Sequence, residues 1–115
     1  MENQNSPLLV TAVSPNFIQD IKALNSFRIE FEQLSLSEMK EVLNEGFESA
    51  VGHESTANDL TEIFGFLVPA VRKTLKLGIG NEVYLVQTVG ERLAEGATEL
   101  SKEHKFAYFK VTFTA

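Results

Sequence analysis

Residues 47 to 65 read Phe-Glu-Ser-Ala-Val-Gly-His-Glu-Ser-Thr-Ala-Asn-Asp-Leu-Thr-Glu-Ile-Phe-Gly. Phe47 to Val51 is extended in character, and Gly52 breaks it. From His53 to Phe64 the period changes: Ala57, Leu60, Ile63 and Phe64 recur at the spacing of one helical face, and Gly65 supplies a C-terminal stop. A strand, a glycine, a polar cluster and a helix in that order set the expectation for the whole chain, which is an α/β domain.

Working outward, Pro7 to Val13 is a short apolar, β-prone run closed by the turn residues Ser14-Pro15-Asn16. Ser26 to Glu32 alternates apolar and charged residues, as a strand with one wet face does. Ser35-Leu-Ser-Glu38 is a capping-box pattern, and Met39, Val42 and Leu43 form the apolar stripe of a helix ending near Gly46. Beyond Pro69, Val71 to Leu77 reads as a strand, and a turn at Gly78 to Asn81 joins it to Glu82 to Val89 as an antiparallel hairpin. Thr98 to about His104 reads as a short helix. The last strand runs from Lys105 to Phe113, with Phe106, Tyr108 and Lys110 on one face and Phe109, Val111 and Phe113 on the other. The expected architecture is one domain over residues 1–115, a mixed sheet of about five strands flanked by helices, with residues 1–6 as a flexible N-terminus.

Composition narrows the chemistry. The 115 residues are 43% hydrophobic and include nine Phe, enough for one packed core. There is no Cys, which excludes disulfides, thiolate catalysis and zinc-thiolate sites. The two histidines, His53 and His104, stand far apart in sequence, so no metal and no cofactor is expected. The N-terminus lacks the pattern of a signal peptide and no apolar run approaches a membrane span, so no membrane contact and a cytoplasmic setting are expected. The net charge of −6 opposes general binding to a long nucleic acid. That charge is uneven: up to Glu62 there are eleven acids against three bases, and from Ile63 onward seven bases against five acids. A compact anionic ligand could therefore find a cationic pocket in the second half.

The start of the second helix suits such an anion. Its first turn carries unpaired N–H groups and the positive end of the helix dipole. Ser55 and Thr56 add hydroxyls, and Gly52 places no side chain in the way. An ordinary helix start uses the same residue types, so capping and ligand binding both stay open on spacing alone. His53 is the residue of this cluster able to carry a proton near neutral pH. An imidazole acting as a general acid at a helix N-terminus needs a compensating negative charge, from a carboxylate or from a ligand phosphate. Further on, Arg92 and Glu95 in Glu91-Arg-Leu-Ala-Glu-Gly96 offer a fork for phosphate and a carboxylate to orient a neighbour, although surface salt-bridging accounts for the pair equally well.

Gly46-Phe-Glu-Ser-Ala-Val-Gly-His-Glu-Ser-Thr-Ala57, Arg72, Val83-Tyr-Leu-Val-Gln87 and Glu91-Arg-Leu-Ala-Glu-Gly96 together resemble the viral and phage ring nucleases that inhibit type III CRISPR defence, and their mobile-element relatives. The similarity covers about residues 8 to 113. It implies a homodimer that binds cyclic tetra-adenylate across its two-fold axis and acts in the host cytoplasm if the protein is viral. The ring is cut without metal by a ribose 2′-hydroxyl, leaving a 2′,3′-cyclic phosphate. By the same resemblance His53 is the general acid and Arg92 and Glu95 support it. Thr11, Ser14, Asn16, Gly52, Ser55, Thr56, Arg72 and Gln87 contact the ligand. The chain departs from the family pattern twice: Thr11-Ala-Val-Ser14 stands where relatives often begin with Asn, and one extra residue lies between Gln87 and Arg92. A non-catalytic protein that sequesters cyclic oligoadenylate is the first alternative, and a DNA-binding or regulatory protein the second.

Overall fold

The computed structural model describes residues 7–19, 21–89 and 106–114. Strand β1 (Leu8–Val10) is followed by two 3-10 turns, Pro15–Phe17 and Ile21–Ala23. Then come β2 (Arg28–Leu34), α1 (Leu36–Leu43), β3 (Glu48–Ala50), α2 (Glu54–Phe64), β4 (Glu82–Thr88) and β5 (Phe106–Thr114). The five strands form one mixed sheet in the order β2-β5-β4-β1-β3. β1 pairs in parallel with both β3 and β4, while β5 runs antiparallel to β4 and to β2. The domain is thus the expected α/β fold with a five-stranded sheet.

Local sequence accounts for both helices. Ser35 caps α1: its hydroxyl accepts the Glu38 N–H at 3.1 Å, and the Glu38 carboxylate accepts the Ser35 N–H at 2.8 Å. Two of the orphan donors at that helix start are satisfied this way. Gly65 ends α2 in the left-handed region (φ 83°), and its N–H bonds the Thr61 carbonyl. The strand-to-helix reading of residues 47–65 therefore holds at both ends.

Alternation along the strands divides the core in two, one cluster on each face of the sheet. On the helical face Met39, Leu43, Ala57, Leu60 and Phe64 pack over Leu9, Val51, Val86, Phe106 and Tyr108. On the other face Val10, Val83, Leu85, Val111 and Phe113 are buried with Ile18, and Phe17, Leu75 and Leu77 pack against them. The faces expected for Phe106, Tyr108, Phe109, Val111 and Phe113 are the observed ones.

The hairpin expected from Val71 to Val89 is not formed. No strand spans Val71–Leu77, whose ends make isolated parallel bridges instead, Val51 with Ala70 and Ile18 with Leu77. The reason is topological. Both edges of β4 are already taken, by β1 and by β5, so no ladder is left for a preceding hairpin partner. The turn at Gly78–Asn81 does form, with the Asn81 N–H donating to the Gly78 carbonyl at 3.1 Å and Gly80 at φ 97°. It feeds β4 without pairing to it. The alternation of residues 71–77 is real, but it reflects Leu75 and Leu77 lying against the face of the sheet opposite α1 and α2. The helix expected over Thr98–His104 lies outside the described residues.

Candidate functional site

The pairing directions put β1, β3 and β4 parallel, so their carboxyl ends share one edge of the sheet. In open α/β sheets ligands sit outside that edge. Thr11 follows the last residue of β1, Gly52 and His53 follow β3, and Gln87 is the penultimate residue of β4. Register aligns Val10 with both Ala50 and Leu85, so these three exits lie on neighbouring strands, roughly 5 Å from one to the next.

His53 is the N-cap of α2, with extended backbone (φ −117°, ψ 127°). Its carbonyl accepts the Ala57 N–H at 3.0 Å, yet its side chain makes no capping hydrogen bond. The imidazole is exposed, and the first-turn N–H groups of α2 receive no side-chain cap from it. Ser55 is exposed and Thr56 half-buried in that first turn.

Arg72 arrives on the segment that returns from α2 along the outer edge of β3. The Val71 N–H donates to the Val51 carbonyl at 2.8 Å. Arg72 Nε donates to the Gly52 carbonyl at 3.2 Å. A side chain at Gly52 would lie in ordinary contact with the Arg72 stem, at 3.4 Å, and the Gly52 φ lies outside the left-handed region, so neither sterics nor backbone demands a glycine here. Behind this contact, buried Ser49 donates to the Pro69 carbonyl at 2.6 Å and accepts from the Val51 N–H at 3.3 Å. That hydroxyl ties β3 to the return segment and so fixes where Arg72 falls.

Two depressions mark the opposite ends of the sheet. The one at the carboxyl edge, about 400 Å³, is lined by Ala50, Gly52, Arg72, Lys73 and Thr74. The other, about 420 Å³, lies at the amino edge and has Glu48 and Glu82 in its wall, with no lysine or arginine. Arg72 and Lys73 give the first depression the more cationic lining, whereas the carboxylates of the second are each paired with a lysine, Glu48 with Lys73 and Glu82 with Lys110. At the amino edge, the neighbouring Glu82 carboxylate holds the Lys110 ammonium above its ordinary pKa, first through its charge and then through a hydrogen bond.

Of the residues expected to form the site, the structure brings Gly52, His53 and Arg72 together and sets Thr11, Ser55, Thr56 and Gln87 along the same edge. Gln87 is exposed on β4 and donates to the Thr88 carbonyl at 3.1 Å. Ser14 is half-buried beyond β1, and its carbonyl accepts the Phe17 N–H at 2.9 Å. Asn16 is placed by its backbone alone, inside the 3-10 turn Pro15–Phe17. Arg92 and Glu95 lie outside the described residues. Lys73 and Thr74 line the same depression without having been among the residues expected from sequence. Among the described residues no group of three or more His, Asp or Glu is placed to hold a metal, and no helix is long and apolar enough to cross a membrane.

The fold and this edge define a small α/β protein with a depression lined by Arg72 and Lys73 outside the ends of its parallel strands. Its residues 8–112 match the STIV B116-like family, and the chain belongs to that family. It is similar to the protein called ORF117 of Acidianus two-tailed virus, 35% identical over 72 residues, which are 60% of this chain and 61% of that one. It is also similar to protein 26 of Sulfolobus islandicus filamentous virus, 39% identical over 77 residues, 66% of this chain and 64% of the relative. The matches thus span under two thirds of either relative. Among solved structures, B116 of Sulfolobus turreted icosahedral virus superposes with a TM-score of 0.69 at 22% identity, over 94% of this chain and 99% of that one. This likeness is one of fold. The family is one of archaeal-virus proteins, which agrees with the viral side of the resemblance read from sequence.

Proposed function

We infer that the protein is a metal-independent ring nuclease that binds cyclic tetra-adenylate and cuts it, ending type III CRISPR signalling in an infected cell. The observation that carries this reading is the junction at Gly52. There an N-cap histidine with an uncommitted side chain, the open first turn of α2 and an arginine bonded to the Gly52 carbonyl share the carboxyl edge of three parallel strands.

The chemistry asks little of the protein. The ribose 2′-hydroxyl gives its proton to solvent water as its oxygen attacks the adjacent phosphorus, the bond to the 5′-oxygen breaks, and the departing oxygen needs a proton. His53 supplies it, a contribution of ~10²–10⁴-fold. The ligand phosphate provides the negative charge that offsets the helix dipole around a protonated imidazole. Backbone N–H groups of the first turn and the Arg72 guanidinium hold the phosphate. Arg92 and Glu95 complete the reading, Arg92 stabilising charge on the phosphorane and Glu95 orienting His53. In support, β4 ends at Thr88 and β5 begins at Phe106, two residues paired to each other at this same edge. A two-fold ligand suits two copies of the chain, each presenting this edge, in the host cytoplasm.

The test is incubation of purified protein with labelled cyclic tetra-adenylate in EDTA, wild type beside His53→Ala. Linear products from wild type and none from the variant support the enzyme. Tight binding of an uncut ring reduces the reading to a sequestering protein, and no binding overturns it.

A further inference from the structure

We propose that Lys73 is a second phosphate ligand of this edge, held in reserve by Glu48 and released when the anion arrives. The inference rests on the cyclic-oligoadenylate reading for the identity of the ligand, but its geometry stands independently. Lys73 lines the carboxyl-edge depression together with Arg72 and Thr74. Its ammonium is committed instead to the Glu48 carboxylate, at 2.5 Å. Glu48 is the first residue of β3 and Gly52 lies two residues past its end, so Lys73 both pairs with a carboxylate at the start of the strand and lines a depression at its end.

The two partners differ in what they lose by parting. The Glu48 side chain is 59% exposed, against 29% for Lys73, so water takes over the carboxylate readily and the pair is a weak surface one. Arg72 is placed differently: its Nε is fixed on the Gly52 carbonyl, and among the described residues it has no carboxylate partner. The arginine is thus a preset contact and the lysine a switchable one. With a phosphodiester against Arg72 and Thr74, the Lys73 ammonium exchanges a solvated carboxylate for a phosphate it approaches from the same depression. In the empty protein the pairing with Glu48 keeps Lys73 neutralised and lowers the affinity for stray anions, which gives Glu48 a part in selectivity.

The experiment uses the full chain as wild type, Lys73→Gln, Lys73→Arg and Glu48→Gln, with melting curves to confirm that each folds. Titration calorimetry with cyclic tetra-adenylate at several salt concentrations is run beside an NMR titration with inorganic pyrophosphate. Lys73→Gln is expected to weaken ring binding about tenfold and to reduce the salt slope by about 0.7. Lys73→Arg restores most of the loss. Glu48→Gln tightens binding about two- to threefold, because the competing carboxylate is gone. Ring binding that is unchanged in both Lys73→Gln and Glu48→Gln overturns the proposal and leaves the ring-nuclease reading intact. If wild type ignores the ring while pyrophosphate still shifts the Gly52, Lys73 and Thr74 amides, and does so less in Lys73→Gln, the subsite stands and the identity of the ligand falls. Silence toward both anions overturns both.

Discussion

Replacing His53 with serine separates what this residue does for the fold from what it does for the ligand. Ser35 and His53 hold the same position, the N-cap, in the two α-helices of the described residues. Ser35 accepts the N–H three residues on, at 3.1 Å, whereas His53 makes no such bond although its backbone is extended as an N-cap should be. A serine there would accept from the Thr56 N–H, the counterpart of Glu38. Gaining a good cap is worth ~1 kcal/mol. For a chain of this size that is a rise of roughly 4 °C in Tm. His53→Ser should therefore stabilise the protein while lowering ring cleavage ~10²–10⁴-fold. His53→Ala, which removes an exposed side chain with no cap bond to lose, should change stability by less than about 0.5 kcal/mol. Thermal unfolding with single-turnover cleavage on the same preparations gives both numbers. A serine variant that melts lower than wild type, or that still cuts at full rate, sinks the view that a functional side chain occupies this cap at the expense of stability.

Other perturbations bear on how the edge is built. Ser49→Ala removes the hydroxyl that holds the part-buried Pro69 carbonyl; denaturant unfolding should show a loss of about 1–3 kcal/mol, with ligand binding weakened because Arg72 loses its anchor. Gly65→Ala forces a side chain into the left-handed C-cap of α2 (φ 83°), and the same assay should show a cost of about 1–2 kcal/mol. The Lys110–Glu82 pair raises the lysine above its ordinary 10.5, so its contribution is complete below that value and fades as pH rises through the raised one. The Tm gap between wild type and Lys110→Met should accordingly stay constant from pH 7 to 9 and close only as the pH rises beyond 10.5. A gap that widens in alkali contradicts the assignment.

What was legible in the sequence was what the chain decides locally. The Ser35–Glu38 box, the Gly65 stop and the helical stripe of Ala57, Leu60 and Phe64 depend on neighbours within a turn or two, and each is found as read, whereas α1 ends at Leu43 with Asn44 as its C-cap, short of Gly46. The two-sided alternation of Phe106 to Phe113 was equally legible, because a strand buried on both faces writes both faces into its sequence. Residues 71–77 were misread because period-two alternation reports which side chains are covered and says nothing about whether a strand edge is free to pair. That vacancy depends on β1 and β5 flanking β4, a matter of contacts far apart in sequence. The site divides in the same way. Gly52 and His53 stand out as a strand-glycine-helix junction, and Arg72 through the family pattern. Lys73 looks like any solvated lysine until Glu48, twenty-five residues earlier, is seen beside it.

The account turns on the fate of one ring. Cyclic tetra-adenylate is incubated with wild type in excess EDTA, and the products are weighed by mass spectrometry. Linear fragments ending in a 2′,3′-cyclic phosphate, made by wild type and absent with His53→Ala, are the predicted result. A ring that stays intact with wild type, or that is cut equally well without His53, contradicts it.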